Sequence, residues 1–255
     1  MYRGFNIRFG RVENYYQLLY LNIGHEIKNE NINNTKNIFR ELFEKEINVQ
    51  RIQEEWYPQI KADIFLSHSH KDEKLAIAFA GFLKHKFGLR VFIDSSIWKN
   101  IDDLQNIINN NFSRNQQGNY QYDKVKSTAS HANMILATSL MMMIDNCECL
   151  FFLNTPNTVK FRNSIGTYTN SPWIYYEMLL SKYIRNMQRR TKMMSESYGK
   201  LSSPSYMYPM NITHLKLLDE KTIDNWVRCF YCDKKMNPLD LLYKIVDKSS
   251  YIGLI

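Results

Sequence analysis

The apolar positions of this chain change period after the first sixty residues. Before that point Ile38, Phe39, Leu42, Phe43 and Ile47 recur at three- and four-residue spacing between charged residues, which predicts an amphipathic helix with one buried stripe. A looser set, Tyr15, Leu18, Leu19 and Ile23, predicts a helix before it. The Asn-rich run 29–34 would connect the two, and Pro58 marks a stop. Residues 1–60 are therefore expected to be a helical extension docked on a domain spanning 61–255.

From Ala62 the apolar runs shorten. ADIFLS (62–67) reads as a buried strand, Asp72 to Phe87 as a helix with Leu75, Ala76, Phe79, Ala80, Phe82 and Leu83 inward, and LRVFID (89–94) as a second strand. Gly88 stands where a helix C-cap glycine belongs. Strand, helix and strand at this spacing make a βαβ unit with parallel strands. Residues 109–124, rich in Asn and Gln, read as an inserted loop. Thr128 to Asn146 returns to an apolar helix, and CECLFFLN (147–154) is a third buried strand. A long loop, 155–170, leads to the helix SPWIYYEMLLSKYI, with Ser171 as N-cap and Pro172 at its first position. Residues 206–212 and 214–218 are candidate short strands, and Pro238 opens a last helix. Alternating β and α elements predict an α/β fold, a doubly wound parallel sheet.

Composition narrows the class. Of 255 residues, 44% are hydrophobic and 23% charged, the balance of a folded domain, and a formal charge of +8 favours anionic partners. Four cysteines are too few for a disulfide scaffold and agree with a reducing compartment. The N-terminus lacks the apolar run of a secretory signal, and the most apolar segment, Ala132 to Ile144, is broken by Thr138 and Ser139. It also falls short of the roughly 20 residues a membrane helix needs. A cytoplasmic protein without membrane partners is expected. The basic cluster Arg185, Arg189, Arg190 and Lys192 lacks interleaved aromatics, so nucleic acid is not the expected partner.

In an open parallel sheet, ligands collect beyond the carboxyl ends of the strands. Ser67 to Asp72, Asp94 to Trp98, and the helix start with Ser171, Trp173 and Glu177 should meet there. Trp98 and Trp173 are either packing residues or platforms for a ring, and Asp94 is either a loop anchor or a ribose ligand. Ser67, His68, Ser69 and His70 could hold a nucleophile and base, but Ser69 with Asp72 also fits a helix cap. Cys147 and Cys149, two apart on a strand, would face one side. A zinc site with Cys229 and Cys232 would require distant segments to meet, and no metal is expected.

ADIFLSHSHKDE, then GLRVFIDSSIW, then SPWIYYE after a buried strand, together resemble a bacterial Toll/interleukin-1 receptor (TIR) domain. Ser171, Trp173 and Glu177 match the family's Ser-x-Trp-Cys-x-x-Glu motif, with Ile174 in place of Cys. The resemblance implies a flavodoxin-like five-stranded sheet of order 2-1-3-4-5. It also implies an enzyme, an NAD nucleosidase or ADP-ribosyl cyclase, with Glu177 catalytic and Ser67, His68, Asp94, Trp98, Ser171 and Trp173 at the substrate. NAD would be the substrate, with no separate cofactor. Family members of this kind act in antiviral defence, including systems of the Thoeris type. That implies self-association through TIR contacts, a phage-derived trigger and a separate effector that responds to the nucleotide product. By the same resemblance, segment 95–102 occupies the position of a mobile loop through which a neighbouring molecule completes the site. Two other readings stay open: a non-catalytic TIR scaffold, and a nucleoside deoxyribosyltransferase-like enzyme.

Overall fold

The computed structural model describes residues 3–10, 18–33, 47–93, 98–164, 166–184 and 207–252. Along the chain these form β1 (Arg3–Arg8), α1 (Leu18–Asn33), α2 (Val49–Trp56), β2 (Ile64–Ser67), a 3-10 turn (His70–Asp72), α3 (Glu73–Phe87) and β3 (Val91–Phe92). There follow α4 (Ile101–Phe112), α5 (Tyr122–Asn146), β4 (Cys149–Leu153), β5 (Lys160–Arg162), β6 (Gly166–Thr169) and α6 (Pro172–Tyr183). The last elements are β7 (Tyr208–Pro209), β8 (Lys216–Asp219), α7 (Glu220–Cys232) and α8 (Pro238–Ile252). The helix expected at 38–47 lies almost wholly outside the described residues, as does the basic cluster at 185–192.

The α/β class holds, with a five-stranded all-parallel sheet in the order β3-β2-β4-β1-β8. Numbering its strands as they occur along the chain gives 3-2-4-1-5, so the expected order 2-1-3-4-5 is not the one formed. The difference has two sources. RGFNIR, expected within a helical extension, is a strand, and it inserts between β4 and β8 with Phe5 opposite Phe151 and Ile7 opposite Leu218. Phe5 and Ile7 are fully buried. Segment 206–212, a candidate short strand, forms only the two-residue β7 of a separate antiparallel sheet, β5-β6-β7.

Strand alternation divides the core into two layers. Phe5, Ile7, Ile64, Leu66, Phe151 and Leu153 meet α1, α3, α7 and α8 on one face, while Phe65, Leu150 and Phe152 meet α2, α4, α5 and α6 on the other. On the first face α1 and α3 touch backbone to backbone. A Cβ on Gly81 would overlap the Tyr20 carbonyl oxygen, and one on Gly24 would overlap that of Ile77. Gly88, at φ 71°, ends α3 in the left-handed conformation as expected.

Other local expectations are refined. α1 runs through the Asn-rich 29–33 rather than stopping before it. The proposed loop at 109–124 begins as the last turn of α4 and ends as the first of α5. Between them Asn115 Oδ1 accepts from the amides of Gln117 and Asn119, and the Arg114 guanidinium lies 4.4 Å from the Tyr120 ring centre. Asn side chains that compete with backbone partners in solution here satisfy turn amides. Cys147 caps the end of α5 and joins the second core layer while Cys149 joins the first, so the two thiols do not share a face. Burial pushes the Cys147 thiol up to about 12. Among the described residues no group of three or more His, Cys, Asp or Glu could hold a metal ion, and no helix is long and apolar enough to cross a membrane.

Candidate functional site

The connection after β2 leads toward β3 on one side, and that after β4 leads past β1 to β8 on the other. Connections diverging from neighbouring strands leave a crevice at their carboxyl ends. The loop leaving β4 is tied to the start of α3: Thr155 Oγ1 donates to Asp72 Oδ2 at 2.5 Å and Asn157 Nδ2 to Asp72 Oδ1 at 2.7 Å. Asp72 is thus engaged across the crevice and makes no side-chain cap to α3, while Ser69 Oγ, as the spacing suggests, accepts from Lys71 N at the 3-10 turn.

Helix α6 brings the carboxylate in. Ser171 caps it by accepting from Ile174 N at 3.2 Å, Pro172 stands at its first turn, and Thr169 Oγ1 accepts from Ser171 N. Ile174 and Met178 are buried against the second face of the sheet. That apolar pair turns Glu177, between them on the helix, inward as well: it is 3% exposed, the only buried Asp, Glu, Lys or Arg among the described residues. Ser67, the last residue of β2, is 1% exposed and donates from Oγ to Glu177 Oε2 at 2.5 Å. A hydroxyl donor at this distance favours the ionised carboxylate.

Glu177 lines an open cleft of about 580 Å³ together with His68, Trp98, Ser171 and Trp173. That volume falls within the range of roughly 300–1,000 Å³ typical of small-molecule and cofactor sites. Trp98 is 9% exposed and held on all sides: its indole N–H donates to the Pro58 carbonyl at 3.1 Å, and its ring stands edge-on to Tyr57 and Phe92. It is a packing residue that also walls the cleft. Trp173 is half-buried, one turn before Glu177 and on the same helix face. His68 Nδ1 lies 3.2 Å from the Leu66 carbonyl, which can only accept, so that contact places the proton on Nδ1.

Of the seven site residues expected from sequence, the cleft gathers His68, Trp98, Ser171, Trp173 and Glu177; Ser67 lies behind Glu177, and Asp94 is outside the described residues. The cleft adds Lys71, Lys99 and Asn157, which the sequence reading did not single out. Both lysines directly follow residues it had flagged, His70 and Trp98, whereas Asn157 had no periodic signal. Burial lowers the Lys99 pKa against the opposing charge of Glu55, and its ammonium lies 5.0 Å from the Trp56 ring centre. The starts of α4 and α6 also border the cleft, through Asn100 with Ile101 and Ser171 with Trp173. Two lysines and two helix N-termini bring attraction for anions to the cleft lining, beside the carboxylates of Glu177 and Glu73. No family model, curated protein or solved structure matches this chain, so its function must be argued from this cleft.

Proposed function

We propose that the protein is a TIR-like enzyme that cleaves the nicotinamide-ribose bond of NAD, with Glu177 as its catalytic carboxylate. The observation that carries this is a buried carboxylate, held by Ser67, at the carboxyl end of a parallel sheet and open to a cleft that also holds an indole and lysines. The strand order differs from the family's, so support comes from the chemistry of the site and the three motifs rather than from the fold.

In this reaction the C–N bond breaks with its electron pair moving onto the pyridinium ring, so nicotinamide leaves neutral and needs no acid. Positive charge develops on the ribose, and a fixed carboxylate stabilises it. Water then adds to the ribosyl carbon and loses a proton, giving ADP-ribose; a nucleophile within the substrate would instead give a cyclic product. Trp173 offers a ring face, Lys71 and Lys99 suit the diphosphate, and His68 and Ser171 supply polar groups on the same lining that suit ribose hydroxyls. The product would serve as a signal to a separate effector in antiviral defence, with activity rising on self-association and after a phage-derived trigger.

The test is incubation of the purified protein with NAD, with and without phage-derived triggers, followed by chromatography. Nicotinamide release that Glu177→Ala abolishes is expected. No release under every condition, or full release by Glu177→Ala, overturns the proposal. Cleavage of free deoxynucleosides without cleavage of NAD would point to the deoxyribosyltransferase-like reading, and biological activity surviving Glu177→Ala to a scaffold.

A further inference from the structure

A serine at the end of a strand, facing a ligand crevice, invites assignment as a substrate contact. The Ser67 hydroxyl has one hydrogen, however, and that hydrogen is directed at Glu177 Oε2. The two partners differ in stiffness. Ser67 is held by the sheet, its position fixed by pairing opposite Phe152 of β4, and has a single side-chain torsion. Glu177 reaches in from α6 on a side chain with three torsions. The rigid partner therefore sets the orientation of the mobile one.

Burial also acts on ionisation. A carboxylate removed from water tends toward its neutral acid, which could not stabilise a cationic ribosyl group. A hydrogen bond donated to the charged form opposes this. Resting on the NAD-cleaving reading, we propose that Ser67 is the positioning residue of this site: it holds Glu177 in one orientation and in its ionised form, and does not itself contact substrate.

The experiment compares wild type with Ser67→Ala, Ser67→Thr and Ser67→Cys, with circular dichroism to check the fold. The Glu177 carboxyl carbon is titrated by NMR in labelled protein, its resonance identified by its absence in Glu177→Gln. With the donor gone, the midpoint of Glu177 protonation should rise by about one pH unit in Ser67→Ala. Threonine, which keeps the hydroxyl, should restore it. Cysteine, a weaker donor of similar shape, should give a smaller rise and carries the comparison if the alanine variant does not fold. Kinetically, Ser67→Ala should lower kcat about tenfold or more with little change in KM, and the acid limb of its pH profile should move up by the same interval as the titration. An unchanged midpoint in both donor-weakened variants overturns the assignment, as does a change confined to KM. Should wild type release no nicotinamide, the NAD reading falls, while the titration still decides the role of Ser67.

Discussion

Asp72 and Thr155 join two chain segments that the sequence separates widely: the Thr155 hydroxyl, just past β4, donates at 2.5 Å to the carboxylate that begins α3. With Asn157 on the other carboxylate oxygen, the rim of the cleft is closed by one acidic side chain. Asp72→Ala removes both bonds. Hydrogen bonds to a half-buried charged group suggest a loss of about 1–3 kcal/mol in chemical denaturation. In the proposed reaction KM for NAD should rise more than kcat falls, because the loop carrying Asn157 loses its anchor.

Glu177 should trade stability for activity. Glu177→Gln keeps an acceptor for Ser67 while removing a buried charge, so its melting temperature should equal or exceed that of wild type. Its nicotinamide release should fall at least about 100-fold, the scale on which electrostatic stabilisation of a transition state is lost. A variant both inactive and markedly unstable would place Glu177 in the structural core instead.

The contact between α1 and α3 leaves no room for a side chain at Gly81. Gly81→Ala sets its new methyl against the Tyr20 carbonyl, a backbone atom that yields only if the helices separate. Overpacking of this kind costs about 1–3 kcal/mol. For a chain of this size each kcal/mol lowers Tm by about 2–4 °C, which calorimetry can resolve. Gly118→Ala is the control: it meets no atom within 4 Å but stands at φ 83°, so its cost comes from backbone strain alone.

His214 predicts a pH dependence. Its Nε2 lies 2.8 Å from Ser181 Oγ on α6, and desolvation, with the Lys182 charge beside it, lowers its pKa below 6.5 against an opposing backbone hydrogen bond at Asn211. The unfolded chain therefore binds the proton more readily. The stability associated with a neutral His214 is complete above about pH 6.5 and is lost as pH falls toward the folded-state value. Thermal melts from pH 7.5 to 5.5 should show a fall in Tm that is shallower in His214→Gln.

The elements around the cleft were legible because local signals agree. The apolar run IFLS, the inward face of α3, Gly88 at its end, and Ser171 with Pro172 at the start of α6 each specify their structure within a few residues. α7 is an element the sequence reading lacks, although its signals are present: Asp219 caps it, and Ile223, Trp226, Val227 and Phe230 keep a helical period. β1 carries only a short signal, Phe5, Ile7 and Phe9 alternating with polar residues, and its pairing partners lie far along the chain. Strand order is a non-local property for the same reason. Glu177 could be nominated from its spacing to Trp173, but its bond to Ser67 spans 110 residues and carries no sequence period.

The position of β1 has a consequence for how the protein is made. This strand leaves the ribosome before either neighbour exists, and β8, on its outer side, pairs with it only after more than 200 further residues. Until β4 emerges, about 140 residues after β1, Phe5 and Ile7 have no sheet to enter, and the outer edge of β1 stays open until β8 follows. Sheet closure is thus a late, long-range event of the kind that slows folding. An N-terminal truncation that takes Arg3–Arg8 with it would split β8 from β4 and disable the sheet, so deletion of the first sixty residues cannot serve as a probe of a dispensable appendage.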